Sequence, residues 1–193
     1  MQRVVGLDAS VKMLAIARKR CEECVGTLGA DYRSVDLVLE VYNMLDDNAA
    51  ASLSDSARGA DVVVSTLVLE HLPLDAFFGA VSGILRPGGL VLLTNMHPDM
   101  GARSQAGFMD PETGEKIRPV SYAHRIEDVV EEARRCTFEV VGEVREREAR
   151  VSDLEDGGLG DRGEKWIGVR MWFGMVFRKA ERVIGLSTTK QEV

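Results

Sequence analysis

The chain has 193 residues, with 24 Lys plus Arg against 31 Asp plus Glu and a formal net charge of −7. Its length fits one domain, and 45% apolar with 28% charged residues excludes disordered, collagenous and disulfide-scaffold classes. The acidic balance argues against a nucleic-acid partner, because phosphate binding needs a basic face.

No apolar run reaches the roughly 18–20 residues that span a bilayer, so no membrane partner is expected. The first residues, MQRVVGLDAS, carry one Arg and no long apolar stretch, unlike a secretory signal. Three cysteines (Cys21, Cys24 and Cys136) cannot all pair within one chain, which points to a reduced, cytoplasmic setting.

In chain order, apolar segments alternate in type, as in a parallel sheet flanked by helices. Arg3 to Leu7 reads as a strand ended by Asp8. Ser10 can cap a following helix that carries Met13, Leu14, Ala17 and Cys21 at helical spacing. Val35 to Val41 is the next strand, and Ser52 to Arg58 a short helix. The β-branched run Asp61 to Ser65 is a buried strand, and Leu74 to Leu85 a helix. Arg86-Pro87-Gly88-Gly89 stops that helix, and Leu90 to Thr94 is a strand. Residues 97–121 form a long connection with Gly101, Gly107, Pro111, Gly114 and Pro119; such a stretch is usually a lid or binding loop. Ile126 to Cys136 is a helix. Phe138 to Arg150 turns heavily charged, which suits an edge strand. Trp166 to Phe177 is apolar on both faces apart from Arg170, which suits an interior strand. The short connection between these two predicts an antiparallel pair. Residues 181–193 read as a flexible tail.

A strand, then an acidic residue, then a helix is how open α/β sheets hold a nucleotide ribose. Asp8 stands in that position, although an Asp before a helix is by itself more often a cap. Its company sharpens the reading. VVGLDASVKMLAIAR, ADVVVSTLVLEHLP and ILRPGGLVLLTNMHP together resemble the class I S-adenosylmethionine-dependent methyltransferases of small-molecule type, over about residues 3–98. The resemblance implies a Rossmann-like α/β sheet with helices on both faces and a C-terminal antiparallel hairpin. It implies S-adenosylmethionine as cofactor and a small molecule as methyl acceptor. Asp8 would bind the ribose, with Ala9 and Ser10 beside it and Met13 packed nearby. Asn43 and Met44 match the position that contacts adenine, where the family often has Asp. Ser65, Thr66 and Leu67 match the loop that lines the methionine end. Glu70 and His71 match a common helix-start pair; His71 either faces the acceptor or is a solvated or capping residue. Gly88 and Gly89 match a structural turn.

One departure is large. The family opens with a strand, a glycine-rich loop and a helix, and here the ribose acid is already residue 8. The expectation is a domain over 1–180 whose first βα unit is absent. The absent strand would be central, between the strands at 3–7 and 61–65. Gly158-Leu-Gly-Asp-Arg-Gly163 has dinucleotide-fingerprint spacing, but it precedes a strand and sits among acidic residues, so it reads as a hairpin loop. Cys21-Glu-Glu-Cys24 lies far from its helix start, where thiolates are stabilised, and no second ligand pair follows; no metal site is expected.

Methyl transfer from a sulfonium mainly needs alignment and exclusion of water. An oxygen acceptor also needs a base. Candidates for a direct role are His97, Tyr122 and His124, and 97–121 is the expected acceptor lid. Two rival readings remain. One is a non-catalytic methyltransferase-like protein that self-associates through unpaired strand edges. The other is a nicotinamide dehydrogenase, which ranks lower because no catalytic Tyr-Lys pair is evident.

Overall fold

A computed structural model describes residues 2–27, 35–103, 107–160 and 163–181. Two parallel units come first. β1 (Gln2–Asp8) leads through α1 (Val11–Thr27) to β2 (Val35–Val41), and the strands pair in parallel from Gln2↔Val35 to Asp8↔Val41. After α2 (Ala49–Ser52), β3 (Ala60–Thr66) leads through α3 (Leu74–Ile84) to β4 (Leu85–Met96), paired in parallel from Val62↔Leu90 to Thr66↔Thr94.

The rest of the chain extends the second sheet. α4 (Pro98–Arg103) and a small hairpin of β5 (Phe108–Met109) and β6 (Lys116–Ile117) precede α5 (Ile126–Arg135). β7 (Phe138–Glu148), α6 (Val151–Glu155) and β8 (Arg170–Lys179) complete the described residues. β8 lies antiparallel between β4 and β7, giving the order β3-β4-β8-β7 beside a separate β1-β2 sheet. The charged strand is therefore the edge and the apolar one the interior, as their compositions predict.

Packing follows from spacing. α3 buries Phe77, Phe78, Val81 and Ile84, its i, i+1, i+4 and i+7 positions. α5 buries Val129 and Ala133, and its charges suit the helix dipole, with Glu127 and Asp128 in the first turn and Arg134 and Arg135 in the last. These helices cover the face of the four-stranded sheet that carries Val91, Leu93, Phe173 and Phe177. A second cluster ties the two sheets: Tyr42 and Ile84 pack with Val5 and Leu7 of β1 and Ala60 and Val63 of β3. After α3, Gly88 takes φ +74°, and a Cβ on Gly89 would meet the carbonyl oxygens of Arg86 and Asp61 at 3.0 and 3.1 Å. Glycines suit that bulge at the start of β4, where the register shifts between Ala60↔Leu85 and Val62↔Leu90.

Three segments differ from expectation. Residues 52–58 are not one helix: Leu53 is extended and a 3-10 turn spans Asp55–Ala57. The reason lies in Ser54 and Ser56, whose hydroxyls both donate to the Glu40 carboxylate on β2. The last strand starts at Arg170 and not Trp166, because a 3-10 turn spans Glu164–Trp166 and Gly168 takes φ +77°. The 97–121 connection holds α4 and the β5–β6 hairpin. Of the expected tail, residues 182–193 lie outside the described residues.

The Glu40 clamp has a pH consequence. Hydrogen bonds from Ser54 and then Ser56 hold the Glu40 carboxyl below its ordinary range. A depressed carboxylate contributes stability above its unfolded pKa and loses it as pH falls through the lower folded value. Thermal melts should therefore show an acid-side loss of stability that the double variant Ser54→Ala, Ser56→Ala reduces. An unchanged acid limb would refute the clamp.

Candidate active site

Ligands of open α/β sheets bind beyond the carboxyl ends of the strands. At the end of β1, Asp8 Oδ1 accepts the Ser10 amide at 2.7 Å, and Ser10 Oγ accepts the Met13 amide at 3.3 Å, capping α1. Asp8 is half-buried, and its second oxygen has no partner among the described residues. Ala9 is exposed between them, and Met13 lies exposed on α1. The β1–β2 pairing continues past the strands, with the Tyr42 amide on the Asp8 carbonyl at 3.0 Å. Parallel register therefore places Asp8 beside Val41 and Tyr42, directly ahead of Asn43 and Met44. The Asn43 amide is used locally, donating to Asp46 at 2.7 Å and accepting from the Leu45 amide at 3.1 Å. Met44 packs into both apolar clusters.

The end of β3 supplies the second wall. The Thr94 hydroxyl donates to Thr66 at 3.2 Å, and the Leu67 amide donates to the Thr94 carbonyl at 3.0 Å. Leu67 takes φ 55°, a left-handed conformation that strains a leucine. Three buried side-chain oxygens near this end have no partner among the described residues: Ser65 Oγ, Glu70 Oε2 and Asn95 Oδ1. Their residues are only 7%, 8% and 1% exposed. Buried polar atoms are nearly always satisfied, so three orphans here mark the unfinished polar part of the core. Sequence reasoning missed Asn95; its signal was a polar residue closing the apolar run LVLLTN. His71 is exposed.

The long connection is fastened at both ends. At its start, His97 is 2% exposed. Its Nδ1 accepts the Asp99 amide at 3.0 Å, so the proton sits on Nε2, which donates to Glu146 at 2.7 Å. Arg170 bridges Asp99 at 2.8 Å and Glu146 at 3.1 Å, and the carboxylates raise its pKa above the ordinary value, that of Asp99 foremost. Both His97 nitrogens are thus engaged in holding α4 to β7 and β8. At the far end, the Tyr122 amide donates to the Glu70 carbonyl at 2.7 Å, and His124 Nε2 donates to the Leu72 carbonyl at 2.8 Å. The Tyr122 and His124 rings stack, 5.1 Å apart and 3° from parallel. The fold brings these two beside the segment that follows β3 and leaves His97 in a separate network. The 158–163 segment follows α6 and precedes the 3-10 turn at Glu164–Trp166, where the sequence predicted a loop directly between two strands; Asp161 and Arg162 lie outside the described residues. Among the described residues, no cluster of three His, Cys, Asp or Glu is placed to hold a metal ion. No described helix is long and apolar enough to cross a membrane.

Residues 1–93 match a family model described as a methyltransferase domain. An uncharacterized methyltransferase of Emericella nidulans is 45% identical over 181 residues, covering 90% of this chain and 62% of the relative. A ubiquinone biosynthesis O-methyltransferase of Brucella ovis is 28% identical over 100 residues, covering 51% of this chain and 34% of that enzyme. The chain thus spans under two thirds of the length of either curated relative. An S-adenosylmethionine-dependent methyltransferase structure from Mesorhizobium loti shares the fold at TM-score 0.60 and 18% identity, over 92% of this chain and 81% of that one. Over residues 1–93 the chain is thus similar in sequence to a methyltransferase domain, and over nearly all its length it shares the fold of S-adenosylmethionine-dependent methyltransferase structures.

Proposed function

We propose that the chain transfers a methyl group from S-adenosylmethionine to a small-molecule acceptor. The observation that carries the reading is the convergence at the strand ends: Asp8 and residues 43–44 on one side, Ser65 to Leu67 on the other. These residues fit the cofactor. The unpartnered Asp8 oxygen can accept hydrogen bonds from a ribose diol. Ser10 and Ala9 shape the turn beneath it, and Met44 offers an apolar surface for a purine, with Asn43 holding that turn in place. The orphaned Ser65 hydroxyl, with Thr66 and the strained Leu67, suits the polar amino-acid end. Met13, exposed on α1, packs near the ribose only from the outer side. When bound, the cofactor supplies an activated methyl on a sulfonium.

On the acceptor side, residues 97–121 act as the lid, within a domain running over 1–180. Tyr122 and His124 face the acceptor. His124 gives its Nε2 proton to Leu72, which leaves Nδ1 to receive an acceptor's proton. His97 acts by positioning, since its nitrogens already serve Glu146 and Asp99. The acidic charge and three cysteines favour a reducing, cytoplasmic setting without a nucleic-acid partner. Titration with S-adenosylhomocysteine by calorimetry should give saturable binding at one site per chain; no heat of binding would overturn the reading.

One observation favours a second reading. The sheet is split, so among the described residues β1 and β3 each keep an unpaired edge. A non-catalytic protein that self-associates through those edges would show a concentration-dependent mass in size-exclusion with light scattering. A monomer at all concentrations would rule that out.

A further inference from the structure

The buried ring of His97 stands where α4, β7 and β8 meet, and it is the N-cap of α4. Its Nδ1 accepts the Asp99 amide, and its carbonyl accepts the amides of Met100 and Gly101, all at 3.0 Å. An N-cap side chain must offer an acceptor to the first turn. An imidazole does so only while it carries a single proton. Here that proton is on Nε2 and faces Glu146 of β7. Three charged groups face the ring among the described residues. They are Asp99 of α4, with Oδ1 3.6 Å from Nδ1, Glu146, and Arg170 of β8, which bonds both carboxylates. One guanidinium against two carboxylates leaves one negative charge uncompensated beside the ring. The edge-on ring of Phe173, 6.4 Å away, closes another side.

We propose that His97 is a proton-operated catch: with one proton it caps α4 and fastens it to β7 and β8, and with a second it releases the first turn of α4. The second proton turns Nδ1 from acceptor to donor. It and the Asp99 amide then become two donors facing each other across 3.0 Å. Nδ1–H turns to Asp99 Oδ1 instead, and the amide is left without its acceptor. The charges then balance, His97 and Arg170 against Asp99 and Glu146. Two bonds are present in both states: Nε2–H to Glu146, and the His97 amide to the Met171 carbonyl at 3.0 Å. The ring is therefore a fixed pivot, and the change falls on α4. That helix has six residues and is too short to persist without such fastening. Opening of the acceptor side as pH falls would follow, and that consequence rests on the lid reading. The catch itself rests on the geometry around the ring.

The test uses the full chain with neither cofactor nor acceptor, so its outcome is independent of methyl transfer. Nitrogen-15 NMR of the imidazole should show the proton on Nε2 at about pH 8 and a second proton entering as pH falls to about 5, the range in which imidazoles commonly charge. Over the same titration, exchange of the Asp99, Met100 and Gly101 amides, corrected for its intrinsic pH dependence, should quicken on the order of tenfold. Glu146→Gln keeps an acceptor for Nε2 but removes a charge that favours the imidazolium, so the midpoint should move to lower pH. His97→Asn supplies a cap that does not titrate, and the step in exchange should vanish. A proton on Nδ1 at the alkaline end, a ring that stays neutral throughout, or a second proton that leaves exchange unchanged would each overturn the proposal. So would a midpoint unmoved in Glu146→Gln or a step that survives in His97→Asn.

Discussion

Asp8→Ala should weaken S-adenosylhomocysteine binding on the order of 100-fold while the fold stands. The carboxylate ends β1, where its register partner Val41 ends β2, so it sits at the mouth of the only described parallel pair that carries residues 43–44 at its end. One oxygen is committed to the Ser10 amide and the other has no described partner. A hydrogen bond to a charged group contributes about 1.5–3 kcal/mol. Losing two ribose contacts should weaken binding on the order of 100-fold or more. The structural loss is the one bond from the Ser10 amide at a half-buried turn, at most about 1.5–3 kcal/mol. Asp8→Asn keeps one acceptor oxygen and should fall between. Calorimetry and thermal melts check both halves, and unchanged affinity in Asp8→Ala would remove the ribose assignment.

Phe78→Ala should be the most destabilising of simple core truncations. Phe78 is fully buried and stands at the centre of an aromatic group. Its ring meets Phe77 edge-on at 5.2 Å, Phe177 edge-on at 5.5 Å and Phe138 tilted at 5.7 Å. Those partners come from α3, β8 and β7, so one side chain joins a helix to two strands. Such truncations cost about 3–5 kcal/mol, and aromatic pairing adds about 0.5–1.5 kcal/mol per pair. A domain's whole stability is roughly 5–15 kcal/mol. Urea titration should show a large drop in midpoint; a loss under about 1.5 kcal/mol would contradict this account of the core.

Much of the fold was legible in the sequence because its signals are local. β2 occupies Val35–Val41 as its apolar run predicts, and α3 stops where Leu85 turns extended ahead of Pro87. The antiparallel pair was readable from the short connection between its strands, and its edge and interior strands from the charge of one and the apolar run of the other. The failures are tertiary. Nothing near residues 52–58 announces that Ser54 and Ser56 will turn to a carboxylate on another strand. The 97–121 connection gains its helix by fastening to distant groups, Glu146 and Arg170. In the site, Asp8 and Ser65 were readable as polar residues closing strands. The orphaned Asn95 oxygen and the engagement of both His97 nitrogens depend on packing that no spacing reveals.

The split sheet bears on function as well as on fold. In the proposed site β1 would carry the ribose wall and β3 the opposite wall, and among the described residues the two strands are joined through Tyr42, Ile84 and their neighbours, not through strand hydrogen bonds. The distance between the two walls is therefore set by side-chain packing, which is softer than a continuous ladder.

The most direct measurement is an amide NMR titration with S-adenosylhomocysteine. The largest shifts should fall together on residues 8–10, 43–44 and 65–67. Shifts confined elsewhere, or to only one of those three segments, would contradict it.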